Sequence, residues 1–262
     1  MADLEPIRLG ISQCLLGDPV RYDGGHRRHA FLADVLSRRV EWVPVCPEVE
    51  AGLGTPREPM LLIAPVGHPK LYTVDTRQDK TTLLNRLSIR RVRELKSLNL
   101  CGYVFKARSP SCGLNTVSVH DQHGRPITTQ GSGLFAQSFH RHFPLIPITD
   151  EGEFDDQRSR DHFLAQVFGY HRWQTFLSGT VTRHTIGLFH SAETHDLQRH
   201  SPRHFSALTR LVSRAGHMHP KQLAHRYGVL FMSTMAFPPP PEAPHTFSSG
   251  NATHHHHKAG SL

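Results

Sequence analysis

Three of the four cysteines in this 262-residue chain stand in matching settings. Cys14 follows the apolar run IRLGIS, Cys46 follows EWVPV, and Cys112 lies in the polar turn KARSPSCGL that leaves GYVF. Thiolates are soft ligands, and three of them converging suit a soft metal centre. Zinc with three cysteines and one open position is one reading. A cubane iron–sulfur cluster with three protein ligands and one free iron is another, and the ferredoxin spacings of an electron-transfer cluster are absent. Three small buried side chains at loop starts, or a redox or nucleophilic cysteine, are the remaining readings. Groups suited to proton transfer stand beside these cysteines. Glu48 comes two residues after Cys46, and Ser109 and Ser111 come just before Cys112. A carboxylate and hydroxyls at an open metal position could move protons on a bound substrate. Equally, Glu48 could cap a helix, and Ser109 before Pro110 could simply make a turn.

For three distant thiols to meet, the elements that carry them must be neighbours. Residues 7–12, 41–45 and 102–106 read as strands, with Pro44 suiting an edge. Residues 145–148 offer a last strand. Residues 29–39 and 82–98 have helical apolar spacing, and GSGLFAQSFHRHF (131–143) reads as a glycine turn into a short helix. Strands alternating with helices imply an α/β fold with a mainly parallel sheet and flanking helices, Rossmann-like. Ligands of such sheets bind at the carboxyl ends of the strands. Cys14, Cys46 and Cys112 all fall at that end, whereas Cys101 precedes its strand and falls at the other.

Residues 150–160, DEGEFDDQRSR, are polar and acidic and read as a hinge. A small all-α domain is expected after it, with helices in 163–177, 185–200, 201–216 and 221–235. Ser201 serves as an N-cap, Pro202 is the first helical residue and Gly216 follows the end. From Phe237 the sequence FPPPPEAPHTFSSGNATHHHHKAGSL reads as a disordered tail, its HHHH a tag-like remnant or weak metal tract. The expected domains are therefore 1–150, 158–236 and the tail 237–262.

Apolar residues make up 37%, enough for a core, and no run nears the roughly 18 needed to span a membrane. MADLEPIRLG lacks a signal pattern, so a cytoplasmic, reducing setting is expected, where disulfides are rare. The net charge is +8, and residues 157–262 hold 11 basic but only 4 acidic side chains. Such a surface attracts phosphate backbones or merely solubilises the chain.

Together, ISQCLLGDPVRYDGGH, VCPEVEAGLGTPREP, GYVFKARSPSCGL and GSGLFA resemble the TudS/RudS family of thiouracil and thiouridine desulfurases, over about residues 7–148. Residues 160–236 resemble the YbgA-type helical domain often fused behind it, an order that looks like the RudS type. The resemblance implies a 4Fe-4S cluster held by Cys14, Cys46 and Cys112 with one open iron. It also implies a catalytic Glu48 in the CPE motif and a catalytic Ser109 opening the SPSC motif. Cys101 matches no ligand and reads as packing. The implied reaction is non-redox: the open iron polarises a thiocarbonyl and water oxygen replaces the sulfur, with Glu48 and Ser109 managing protons. The implied substrate is 4-thiouridine in tRNA, giving uridine and sulfide. Arg158, Arg160, Arg172, Arg183, Arg199, Arg203, Arg210, Arg214, Lys221 and Arg226 would face RNA phosphates, and Tyr170, His171 and Trp173 would stack on a base or fill a core. Two alternatives stand beside this: a desulfurase of free thiouracil or thiouridine nucleotides, and a non-catalytic metal- or RNA-binding module. Oligomeric state is left open.

Overall fold

The computed structural model describes residues 6–240. Short apolar runs form four parallel strands in the order β2-β1-β5-β8, namely β1 (Arg8–Ser12), β2 (Glu41–Val45), β5 (Gly102–Phe105) and β8 (Ile148–Asp150). Strand β2 is an edge, as Pro44 requires, because a missing N–H is tolerated only where no second ladder needs it. Leu9, Ile11, Tyr103, Val104 and Phe105 are wholly buried, as strands covered on both faces must be. The last strand begins at Ile148, so 145–147 lead into it. The helical pattern at 29–39 forms only a π-helical turn (Phe31–Val35) and a 3-10 turn (Leu36–Arg38).

A second sheet was not foreseen. It has the order β4-β3-β6-β7, with β3 (Met60–Ile63), β4 (Lys70–Thr73), β6 (Val117–His120) and β7 (Pro126–Gly131). Its two outer pairs are antiparallel and only β3–β6 is parallel. Helices α1 (Pro47–Glu50), α2 (Thr81–Lys96) and α3 (Leu134–His142) complete this part.

Helix α4 (Gln157–Ser178) starts on Asp156, whose carboxylate accepts from Ser159 N–H at 2.7 Å. The expected hinge is instead anchored. Phe154 is buried edge-on to Phe163 at 5.6 Å, and Glu151 pairs with Lys106. Phe163 and Val167 press on Gly102, where a Cβ would meet Val167 at 2.9 Å. Farther along α4, Trp173 packs among Phe176, Phe189, Tyr227 and Phe231. One helix therefore belongs to the sheet's core and to the helical core formed with α5 (Arg183–Ala192), α6 (Thr194–His200), α7 (Pro202–Ser213) and α8 (Pro220–Met235). Ser201 caps α7 through His204 N–H, as expected. Phe237 and Pro239 are held as well, their carbonyls accepting from His200 at 2.6 Å and Arg158 at 3.2 Å. The rest of the expected tail, from residue 241 and including the histidine tract, lies outside the described residues. Among the described residues no helix is long and apolar enough to cross a membrane.

His190 is buried in the helical core, 3.2 Å from the Tyr227 hydroxyl and 3.1 Å from Thr209 Oγ1. Burial lowers its pKa below the ordinary histidine value, and that of His162 likewise. The unfolded chain then binds protons more readily, so this contribution is complete above about pH 6.5 and is lost as pH falls through the folded values. Melting temperature should therefore drop between pH 7 and pH 5. His190→Gln should be less stable at pH 7 yet lose less on acidification, which thermal melts at both pH values would read.

Candidate metal centre

Cys14, Cys46 and Cys112 are free thiols, 9%, 6% and 4% exposed, and they border one cavity of about 480 Å³ together with Glu48 and Ser109. Each arrives from the carboxyl end of a strand of the parallel sheet. Cys14 lies in the 3-10 turn that follows β1, and its carbonyl accepts from Arg27 N–H at 2.9 Å. Cys46 is the N-cap of α1, with extended backbone before Pro47. Cys101 sits at the opposite end of the sheet, its thiol 3.1 Å from Gln174 Oε1, and does not border that cavity.

The Cys112 loop is gripped by the first turn of α3. The N–H groups of Leu134, Phe135 and Ala136 donate to the carbonyls of Pro110 and Ser111 at 2.9–3.2 Å, which satisfies donors a helix start leaves open. Gly133 makes this approach feasible, since a Cβ there would lie 2.3 Å from the Ser111 carbonyl carbon. Ser109 does two things. Its hydroxyl accepts from the N–H of Ser111 and Cys112 at 3.3 and 3.2 Å, making the turn, and it also borders the cavity. Ser111 Oγ is buried, has no hydrogen-bond partner among the described residues, and does not border the cavity.

Glu48 is 7% exposed. The capping role falls to Glu50, whose carboxylate accepts from Cys46 N–H at 3.3 Å. Glu48 is thereby left beside the cavity, 3.6 Å from the Cys46 sulfur and 3.9 Å from the Arg57 guanidinium. Arg57 is equally buried, and it donates to the carbonyls of Val20 at 2.9 Å and Gly54 at 3.0 Å. Lys106, Arg21, Arg27 and Arg108 also line the cavity, against one further carboxylate, Glu58. This cationic wall suits a negatively charged occupant. Sequence reasoning missed Arg57 and Lys106; their only signal was proximity in the chain to Glu48 and Cys112.

Burial pushes the thiols up, Cys14 to about 11 and Cys46 to about 12, with Cys112 also well above the ordinary range. Lys106 partly opposes this at Cys14, and Glu48 adds to it at Cys46 and Cys112. Bare, these thiols stay protonated and are poor nucleophiles at neutral pH, whereas a metal displaces their protons and makes them good ligands. Among the described residues no three Cys, His, Asp or Glu side chains close round the position of one ion. Three sulfurs bordering one cavity are a soft donor set that suits a soft metal group. Soft donors and a wall rich in cations together fit a thiolate-held cluster.

Residues 9–151 match the family model described as 2-thiouracil desulfurase. A curated relative, the uncharacterized protein YbbK of Bacillus subtilis (strain 168), is 28% identical over 153 residues, spanning 56% of this chain and 97% of that protein. A solved structure of TudS, described as a 4Fe-4S-dependent thiouracil desulfidase, is 26% identical with a TM-score of 0.48, covering 57% of this chain and 93% of that one.

The grip of α3 makes a sharp expectation. Gly133→Ala forces the Cys112 loop away, and such overpacking costs about 1–3 kcal/mol. The variant should fold but retain much less iron and acid-labile sulfide after anaerobic reconstitution, measured by colorimetric iron and sulfide assay. Wild-type iron content in this variant would show that the close approach does not set the thiol's place.

Proposed function

Since the chain belongs to the 2-thiouracil desulfurase family, a family of enzymes, we propose that its cavity replaces the thiocarbonyl sulfur of a thiolated uracil by oxygen from water. The observation that carries this is the meeting of Cys14, Cys46, Cys112, Glu48 and Ser109 around one cavity. Family membership sets aside the reading as a non-catalytic module.

Cys14, Cys46 and Cys112 would hold a 4Fe-4S cluster, whose fourth iron, when bound, supplies a soft Lewis acid for the thione sulfur. The reaction needs no electrons: one C–O bond forms, the C–S bond breaks, and the two protons of water end on the departing sulfide. Glu48 is placed to take a proton from the attacking water at its carboxylate and return it to the sulfur side. Arg57 holds that carboxylate in place from behind. The Ser109 hydroxyl, already accepting two backbone N–H groups, has its own proton free to donate to the ring or to water.

The finer reading is 4-thiouridine in tRNA, with residues 158–236 acting as a YbgA-type RNA-binding domain. The net charge of +8 and the exposed Arg203, Arg210, Arg214, Lys221 and Arg226 support it. Other observations favour the free nucleobase or nucleotide. Trp173 is core rather than a stacking platform, and Arg172 is bound bidentately to Glu193 at 2.6 and 2.7 Å. Arg158 and Arg183 are committed to backbone carbonyls. Arg160 lies over the Phe31 ring.

Reconstituted protein should release sulfide, with loss of thione absorbance, from 4-thiouridine-containing tRNA. Release only from free 4-thiouridine monophosphate or free 2-thiouracil would assign a small substrate, and release from none of the three would refute desulfuration. Each of Cys14→Ser, Cys46→Ser and Cys112→Ser should abolish iron binding, and Cys101→Ser should not; equal loss in Cys101→Ser would refute the three-and-one division. Glu48→Gln should keep its iron and lose about 10²–10⁴-fold in turnover, the scale of a general acid–base group. Unchanged turnover would remove Glu48 from the proton path.

A further inference from the structure

The stretch RYDGG presents one aromatic ring to the mouth of the cavity. Tyr22 is the single aromatic among the residues that line it, and its side chain is 43% exposed. The turn beneath it is tied by hydrogen bonds. Gly24 N–H donates to the Arg21 carbonyl at 3.0 Å, Arg21 N–H to the Gly25 carbonyl at 3.1 Å, and Gly25 N–H to Asp23 Oδ1 at 3.0 Å. Gly24 supplies the positive φ of 75° that this closure needs. A second segment packs against it, where Arg57 N–H donates to the Tyr22 carbonyl at 2.8 Å. Two residues earlier, the Val20 carbonyl accepts from Arg57 at 2.9 Å and lies 3.7 Å from the Cys46 sulfur. One short segment thus touches a candidate cluster ligand and carries the exposed ring.

Among the described residues no other aromatic ring packs on Tyr22; only the Arg21 guanidinium lies over it, 5.3 Å from the centroid. An exposed aromatic on a fixed turn is a binding surface waiting for a planar partner, because stacking covers both apolar faces without ordering a flexible loop. We propose that Tyr22 is the stacking platform for the substrate's pyrimidine ring. This rests on the desulfurase reading and adds what orients the heterocycle. The ring lies flat on Tyr22 with its thiocarbonyl edge turned toward Cys14, Cys46 and Cys112. Tyr22 is a substrate-binding and positioning residue, with no proton to transfer in the reaction. The Met60 thioether, on the same cavity wall, is suited to the opposite face of the heterocycle.

The test separates stacking from edge recognition. Uracil and 5,6-dihydrouracil share their carbonyl and N–H groups, but the saturated ring is puckered and has lost the planar π face. Both are titrated by calorimetry into cluster-loaded wild type, Tyr22→Phe and Tyr22→Ala, each checked for iron content. Wild type and Tyr22→Phe should prefer uracil by about tenfold or more, the scale of base–aromatic stacking, and Tyr22→Ala should lose the preference. With thiouracil as substrate, KM should rise in Tyr22→Ala by a similar factor, more than kcat falls. Equal wild-type affinity for the two ligands, a preference that survives in Tyr22→Ala, or no measurable uracil binding would each overturn the proposal. Failure of the desulfurase reading looks different: uracil binds with the expected preference, yet no sulfide leaves thiouracil.

Discussion

Burying three thiols around one cavity constrains everything near it. Strand ends bring the cysteines together, but strand ends are loops, and loops wander unless their backbone groups are bonded. Here each loop is tied. The Cys14 carbonyl accepts from Arg27, the Cys46 N–H finds Glu50, and the Cys112 loop is held by the open N–H groups of α3. A tie also crosses the sheet, where Lys106 N–H donates to Ser12 Oγ at 2.9 Å, joining the ends of β1 and β5. The sulfurs keep their places because backbone hydrogen bonds, not side-chain packing alone, hold the loops.

Charge follows from the same burial. Thiols removed from water resist ionisation, and nearby cations would offset part of the cost of any thiolate formed there. Most of those cations are themselves balanced. Arg57 faces Glu48, Lys106 faces Glu151 from the end of β8, and Arg21 faces Asp23 at 3.3 Å. The fourth strand therefore contributes a carboxylate rather than a cysteine, and it does so through the segment that first read as a hinge.

The helical part is joined to this frame through α4. Phe163 and Val167 serve the sheet and Trp173 serves the helices, so motion of one core against the other would break packing in both. Tyr170 and Trp173, two of the three residues read for base stacking, help to build this joint. Trp173 fits because Gly228 leaves room; a Cβ there would lie 2.7 Å from the indole nitrogen.

Much of the site was legible along the chain. Apolar runs marked β1, β2 and β5, the rule that ligands sit at carboxyl strand ends divided the cysteines three to one, and the positions of Glu48 and Ser109 beside Cys46 and Cys112 followed from adjacency alone. Ser201 and Pro202 likewise marked the start of α7, whereas its end falls at Ser213, ahead of the expected Gly216, which lies in a following 3-10 turn. The second sheet was not legible, because strands such as PITTQG are short, polar and mostly exposed, and gain their order only from partners far away. Nor could local pattern tell that Glu50 would cap α1 and free Glu48, that Gly133 would let α3 grip the Cys112 loop, or that Tyr22 would stand at the cavity mouth. The sequence by itself determined which residues are chemically able, since side-chain type and strand-end placement are local properties. Only the tertiary structure decided which of them face one another, because that depends on hydrogen bonds and close contacts between segments tens of residues apart.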